Sequence, residues 1–290
     1  GISTPYFLGA VVPEQQEMDK NVTFRHSRIG AKDYFSVDVQ SQPLTVQPGA
    51  YREQVYKVFA GAKKIDLLAD QGAHLDKAVD FGWFHIFSKF FFDLVMWFDG
   101  FVGNLGVAVI LVTLLIKLAF WPLAAKSYVA MSRMKQLQPK MMQLKEKHGD
   151  DKQAMSMEMM ALYRQHKVNP MSGCWPVLIQ IPIFFSFYKM ILISIEFRHE
   201  PFVLWIQDLS ARDPFFVLPV LMGLTMLLQQ KLNPTPTDPV QEKVMKILPL
   251  VFTGVFAMFP AGLVLYWTTN SVLSVAQQWF VMRRLGVQTN

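Results

Sequence analysis

The stretch VILVTLLIKLAFWPL, residues 109–123, is apolar apart from one hydroxyl, Thr113, and one cation, Lys117. Apolar blocks of this kind recur from residue 107 almost to the end of the chain. A membrane-spanning helix needs roughly 17–25 such residues, and a soluble domain rarely carries several. In hydrocarbon the backbone must satisfy its own hydrogen bonds, so the blocks are predicted to be helices. Five spans are expected, at about 104–123, 175–195, 214–230, 244–259 and 263–282, with Pro260-Ala261-Gly262 as a tight turn before the last.

Charge placement orients them. Residues 125–169 hold nine Lys/Arg against four Asp/Glu, whereas residues 1–100 hold ten against twelve. The positive-inside rule places 125–169 in the cytoplasm. Lys231, Lys243 and Lys246 mark a second inside loop, and Arg283-Arg284 close the last span inside. The balanced 196–213 loop and the N-terminal region then lie outside. An outside N-terminal domain needs an export signal or an anchoring span, expected ahead of residue 1. The same basic excess gives no specific case for nucleic acid.

Six segments follow from this reading: a β-rich domain or its end at 1–77, an interfacial amphipathic helix at 78–102, a span at 103–124, a cytoplasmic helical hairpin at 125–169, four further spans at 174–284, and a tail at 285–290. Residues 1–77 alternate in strand fashion, as in YFSVDVQSQ. In GWFHIFSKFFFDLVMWFDG a polar stripe of His85, Ser88/Lys89, Asp93, Met96 and Asp99 runs through aromatic and aliphatic residues, which suits a helix lying in the membrane surface. The other reading is a buried helix of a soluble core. The hairpin seam is expected from Met131, Met134, Leu137, Met141 and Leu144 on one helix and Met155, Met159 and Leu162 on the next, with Pro139 kinking or interrupting the first. Eight of the chain's 17 methionines lie here. Either they fill the seam, or their flexible side chains receive varied hydrophobic partners.

Signatures of catalysis are missing from the sequence: no GxSxG, HExxH, GxxxxGK[ST] or GxGxxG, and no carboxylate pair within a span. The single cysteine, Cys174, permits no intramolecular disulfide, and the histidines show no metal-ligand spacing. Neither an enzyme nor a cofactor is expected. What the spans do carry is Thr113 and Lys117 four residues apart, Gln180, and a stripe of Asn270, Ser274 and Gln277. Polar side chains at membrane depth face protein or a wet cavity. Lys117 lies roughly 10 Å from the cytoplasmic end at 1.5 Å per residue, so snorkelling is one reading of it. The three polar stripes favour a cavity.

The stretches FVGNLGVAVILVTLLIKLAFWPL, LQPKMMQLKEKHGDDKQAMSMEMMALYRQHKVNPMSGCWPVLIQIPIFFSFY, PFVLWIQDLSARDPFFVLPVLMG and FPAGLVLYWTTNSVLSVAQQW, with HLDKAVDFGW ahead of them, resemble the YidC family of membrane protein insertases. The resemblance implies a polytopic α-helical membrane protein of the bacterial inner membrane. Five transmembrane helices would surround a hydrophilic groove open to cytoplasm and lipid, with an interfacial helix, a cytoplasmic hairpin and the end of a β-rich periplasmic domain. It implies insertion of nascent hydrophobic segments without nucleotide hydrolysis. The partners it implies are nascent membrane proteins, the Sec translocon, the ribosome, the signal-recognition machinery and lipid. By the same match Thr113, Gln180 and Trp267 line the groove or substrate path. Lys117 stands where the family usually has arginine, and Trp267 where relatives often have tyrosine. A transporter or channel for a small solute or anion is the alternative, since a lysine and amides in a cavity would serve it too. The sequence carries neither an internal repeat nor a second charged cluster for coupling.

Overall fold

The computed structural model describes residues 1–13, 20–41, 43, 45–51, 53, 55–149, 151–169, 175–233 and 239–285. Cys174, Asp150 of the hairpin connection and tail residues 286–290 lie outside them. The chain divides into two units, Gly1–Asp80 with Ile193–Glu196, and the remainder.

The first unit opens with strands β1 (Ile2–Ser3), β2 (Phe7–Pro13), β3 (Lys20–Ile29), β4 (Lys32–Ser41) and β5 (Tyr56–Ala62). β1, β2 and β5 form an antiparallel sheet in that order, while β3 and β4 form a separate hairpin. Gly30, at φ +65°, supplies the left-handed residue that the two-residue turn between Ile29 and Lys32 requires. Lys63 ties the end of β5 to the start of the chain, its Nζ donating to Ser3 Oγ at 3.1 Å. Strand structure ends at Ala62, short of the expected residue 77. Helix α1 (Ile65–Asp70) and a 3-10 turn (Leu75–Ala78) follow, because Ile65 and Leu68, three apart, bury on one helical face.

In the second unit α2 (His85–Val102) buries Ser88, Phe91, Phe92 and Val95 at helical spacing and packs on α3 (Leu105–Ala119). Ser88 therefore belongs to the packed face and not to an exposed polar stripe. Ile86, Phe87, Phe90, Trp97 and Phe101 remain exposed on α2, with Trp83 fully exposed just ahead of it. Asn104 caps α3, accepting from the Val107 amide at 3.0 Å, and donates to the Phe202 carbonyl at 3.0 Å.

Only Phe120 separates α3 from α4 (Trp121–His148), and the two helices meet at a bend of 68°. The expected continuous span at 104–123 is thus broken. The hairpin's first helix begins at Trp121, well before residue 125. Pro139 does not interrupt α4. It sits on the exposed side, while Leu137 and Met141 on either side are buried with Val168 against Met134, Met159, Leu162 and Tyr163. That packing holds the helix through a residue that removes one backbone hydrogen bond. α5 (Lys152–Gln165) is capped by Asp151, whose carboxylate accepts from Ala154 N at 3.0 Å.

The remaining helices are α6 (Trp175–Ile193), α7 (Val217–Leu232), α8 (Pro239–Phe256) and α9 (Ala261–Arg284). α9 is the centre of the unit and packs against α3, α4 and α7. Its first turn is already formed at Ala261 and Gly262, whose amides donate to the carbonyls of Ala211 (2.6 Å) and Leu209 (2.9 Å). The expected tight turn at 260–262 is therefore the start of the helix. Buried Asp213 holds the entry to α7, accepting from Trp205 Nε1, Phe215 N and Leu218 N at 2.8–3.0 Å.

Among the described residues no single helix is long and apolar enough to cross a membrane. α3 and α4 reach that measure only together, across their bend, and Leu178–Ile193 and Val217–Leu232 are shorter apolar helices. Five unbroken crossings are not seen. In α9 the cause is Thr268, Asn270, Ser274, Gln277 and Gln278, which dilute its apolar content. In α3 it is the break at Phe120.

α7 and α8 approach closely where Gly223 faces Thr253: a Cβ built at Gly223 overlaps Thr253 Oγ1. Intrinsic propensity favours alanine over glycine in a helix by about 0.8–1.0 kcal/mol. Overpacking of this kind costs about 1–3 kcal/mol. Gly223→Ala is expected to lower the melting temperature of the purified protein, and adding Thr253→Ala to restore most of the loss. A Gly223→Ala protein at least as stable as the parent would contradict this packing.

Candidate functional site

The break at Phe120 sets up the site. A helix end leaves its last carbonyls without intrahelical donors. Lys117 is in the last turn of α3, and its carbonyl accepts from Gln277 Nε2 of α9 at 3.3 Å. Its side chain turns the same way: Lys117 Nζ donates to Ser274 Oγ at 2.7 Å, and Ser274 Oγ donates to the Asn270 carbonyl at 2.7 Å. Tyr128 of α4, buried, lines the same cavity as this serine. Among the described residues no carboxylate lies within ion-pair distance of Lys117. A cation at a helix C-terminus also meets the negative end of the helix dipole.

Lys117 lines a cavity of about 340 Å³ between α3, α4, α6, α7 and α9. Its polar lining comes from Lys117, Tyr128, Gln180, Gln229, Asn233, Asn270, Ser271 and Ser274, and Ile116, Phe120, Leu123, Ile179, Ile183 and Met226 supply apolar wall. At the far end from Lys117, Trp267 meets Phe184 edge-on at 5.0 Å. Gln180 Nε2 donates to the hydroxyl of buried Tyr266, whose ring stacks on Phe187 at 4.2 Å. At the other end Gln278 Nε2 donates to Asn233 Oδ1 at 3.0 Å. Lys135 of α4 donates to the Lys231 carbonyl of α7 at 3.0 Å and caps that helix end.

Of the residues chosen from sequence, Lys117, Gln180, Trp267, Asn270 and Ser274 meet in this cavity. Thr113 does not line it. It is 1% exposed, and its hydroxyl donates back to the Val109 carbonyl at 2.7 Å. Gln277 is also buried and braces the α3 backbone instead of facing the space. The methionines divide as well. Met134, Met141 and Met159 pack in the hairpin seam. Met131 lines the cavity, and Met155 is half-buried on α5 outside that cluster. Sequence reasoning missed Tyr128, Gln229, Asn233 and Ser271. The polar end of α7 at Gln229-Gln230 was a readable signal. Tyr128 had none, because it falls where the hairpin was expected to begin. The arrangement offers a cation, amides and hydroxyls to a ligand and, among the described residues, no nucleophile–base–carboxylate relay. Among the described residues no group of three His, Cys, Asp or Glu could hold a metal ion.

With a Cys174→Ser background, cysteine at Asn270 or Gln180 is expected to react with a hydrophilic maleimide about tenfold or more faster than cysteine at Thr113, since rates follow the exposed fraction. Equal rates at 113 and 270 would contradict the cavity.

Comparison with known proteins agrees with the motifs. A family model described as 60Kd inner membrane protein matches residues 97–288, and one described as YidC periplasmic domain matches residues 1–94. A protein of Alkalilimnicola ehrlichii named membrane protein insertase YidC is 51% identical over 280 residues, covering 97% of this chain and 49% of its own. Its namesake in Geobacter sulfurreducens is 46% identical, covering 99% and 53%. The chain thus spans about half the length of these relatives. The crystal structure titled "Active YidC insertase crystal structure with the first transmembrane domain resolved" matches with TM-score 0.57 at 24% identity, covering 78% of this chain and 57% of that one, a likeness of fold. The family resemblance read from the motifs therefore holds, and the chain belongs to the 60Kd inner membrane protein family.

Proposed function

We propose that this chain is the membrane-embedded and adjoining periplasmic part of a membrane protein insertase of the bacterial inner membrane. The observation that carries the reading is the Lys117 ammonium held on Ser274 in an amide-lined cavity, in a chain about half identical to proteins named as insertases. Carrying a polar tail across about 30 Å of hydrocarbon strips water from its backbone groups. A cavity with donors and acceptors at membrane depth replaces part of that hydration. Lys117 adds a field that draws acidic tails, and a field acts through charge more than shape.

In this reading five segments cross the bilayer: α3 with the start of α4, then α6, α7, α8 and α9. The basic ends at Lys231, Lys243, Lys246 and Arg283-Arg284 face the cytoplasm, and residues 1–77 lie outside. The exposed aromatic face of α2 rests in the membrane surface. The hairpin of α4 and α5 receives the client first, using Met142, Met157 and Met160, which are exposed. Nascent chains are the clients, lipid is the destination, and the Sec translocon, ribosome and signal-recognition machinery deliver them. No nucleotide hydrolysis drives the step. The relatives' names give the transporter alternative no support.

Reconstituted vesicles test the reading. The purified protein is expected to insert a short single-span client unaided, with Lys117→Arg near normal. Lys117→Ala is expected to slow clients with acidic outer tails by about tenfold, because one lost charge contact is worth on the order of 1–4 kcal/mol between bulk water and a protein surface, and neutral tails far less. Equal slowing of both client types would assign Lys117 to helix packing instead.

A further inference from the structure

We infer that, between clients, the cavity holds a single alkyl chain with an anionic headgroup, carboxylate or phosphate, its head on Lys117 and its chain along Ile116, Ile179 and Ile183. The inference rests on the proposed groove reading, in which the cavity opens to lipid and cytoplasm.

Three observations lead to it. The Lys117 ammonium has Ser274 as a partner, and among the described residues no carboxylate balances it. Its field is therefore open to an anion from outside the protein. Second, much of the wall beyond the head is apolar, although Gln180 and Gln229 share it, so a small inorganic anion would leave Ile116, Ile179 and Ile183 facing water. Third, charge and wall are ordered along one axis. On α9 the cavity runs from Ser274 back to Trp267, roughly 10 Å at 1.5 Å per residue. Lys117 stands at the Ser274 end and Trp267 at the other. A site with one cation at one end and a mostly apolar wall, interrupted by Gln180 and Asn270, is complementary to an amphiphile. In the proposed orientation the Ser274 end faces the cytoplasm, so the head points toward the inner leaflet. A client with an acidic tail displaces this occupant by offering its own carboxylate to Lys117, so the cation need never stand without an anion.

The full chain carrying Cys174→Ser and Asn270→Cys, in nanodiscs of neutral phospholipid, tests this by the rate at which an uncharged hydrophilic maleimide labels residue 270. Dodecanoate, dodecyl phosphate and dodecanol are added at equal bilayer content. At least one of the two anions is expected to slow labelling about fivefold, the rate following the unoccupied fraction, and dodecanol to leave it nearly unchanged. Which anion protects assigns the headgroup. Lys117→Met should abolish the difference and Lys117→Arg keep it. Should Lys117→Met fail to fold, the comparison of anion with alcohol on the Lys117 protein decides alone. Equal protection by anion and alcohol, or protection by none of them, overturns the inference while leaving the wet groove standing. Failure of residue 270 to label without additive overturns the groove and this inference together.

Discussion

A lysine in the last turn of an apolar helix must find partners without leaving the helix. On the translocon scale a lysine at mid-span costs about 2.5–3.5 kcal/mol. One hydrogen bond from a charged group contributes about 1.5–3 kcal/mol. A favourable helix C-terminus adds about 0.3–1 kcal/mol. The bond from Lys117 Nζ to Ser274 Oγ, at the end of α3, is therefore of the size needed to offset the cost. No buried carboxylate is required, and the charge stays available to something else. This balance is what separates a groove cation from a structural ion pair, where the partner would quench the field.

The break at Phe120 makes the balance work. It ends α3 two residues after Lys117, so that both ends of this residue are served by α9, the carbonyl by Gln277 and the ammonium by Ser274. It also turns α4 through 68°, which brings Tyr128 and Met131 to the cavity wall. The same unbroken α4 continues through Pro139 into the seam with α5, and Lys135 fastens it to the end of α7. Cavity wall and hairpin therefore share one helix. α9, packed against α3, α4 and α7, touched by side chains of α6, and buried along its first turns from Ala261 to Tyr266, is the fixed surface on which both are built.

Much of this was legible in the residues, and the exceptions have physical causes. Lys117, Gln180, Asn270 and Ser274 stood out because polar groups in apolar blocks are costly unless they meet. The four stretches that resemble the insertase family fixed order and class. The bend was not legible: AFWPL is apolar throughout, and proline at the start of a helix is ordinary. Thr113 misled because sharing a face with Lys117 says nothing about whether a hydroxyl turns outward or back to its own helix, as it does onto Val109. Pro139 misled because tertiary packing of Leu137 and Met141 overrides local propensity. Met131 and Tyr128 could be placed only once the direction of α4 was known.

Whether the cation stands in water is the central question, and deuterium modulation of a spin label reads it directly. A label at Asn270 in nanodiscs of neutral phospholipid hydrated with D₂O should show modulation close to that of an exposed surface site, while a label at Leu115, exposed on α3 but flanked by apolar residues, should show little. Equal, shallow modulation at both positions would mean a dry cavity. Lys117 would then be a packing residue, and the account built on its charge would fail.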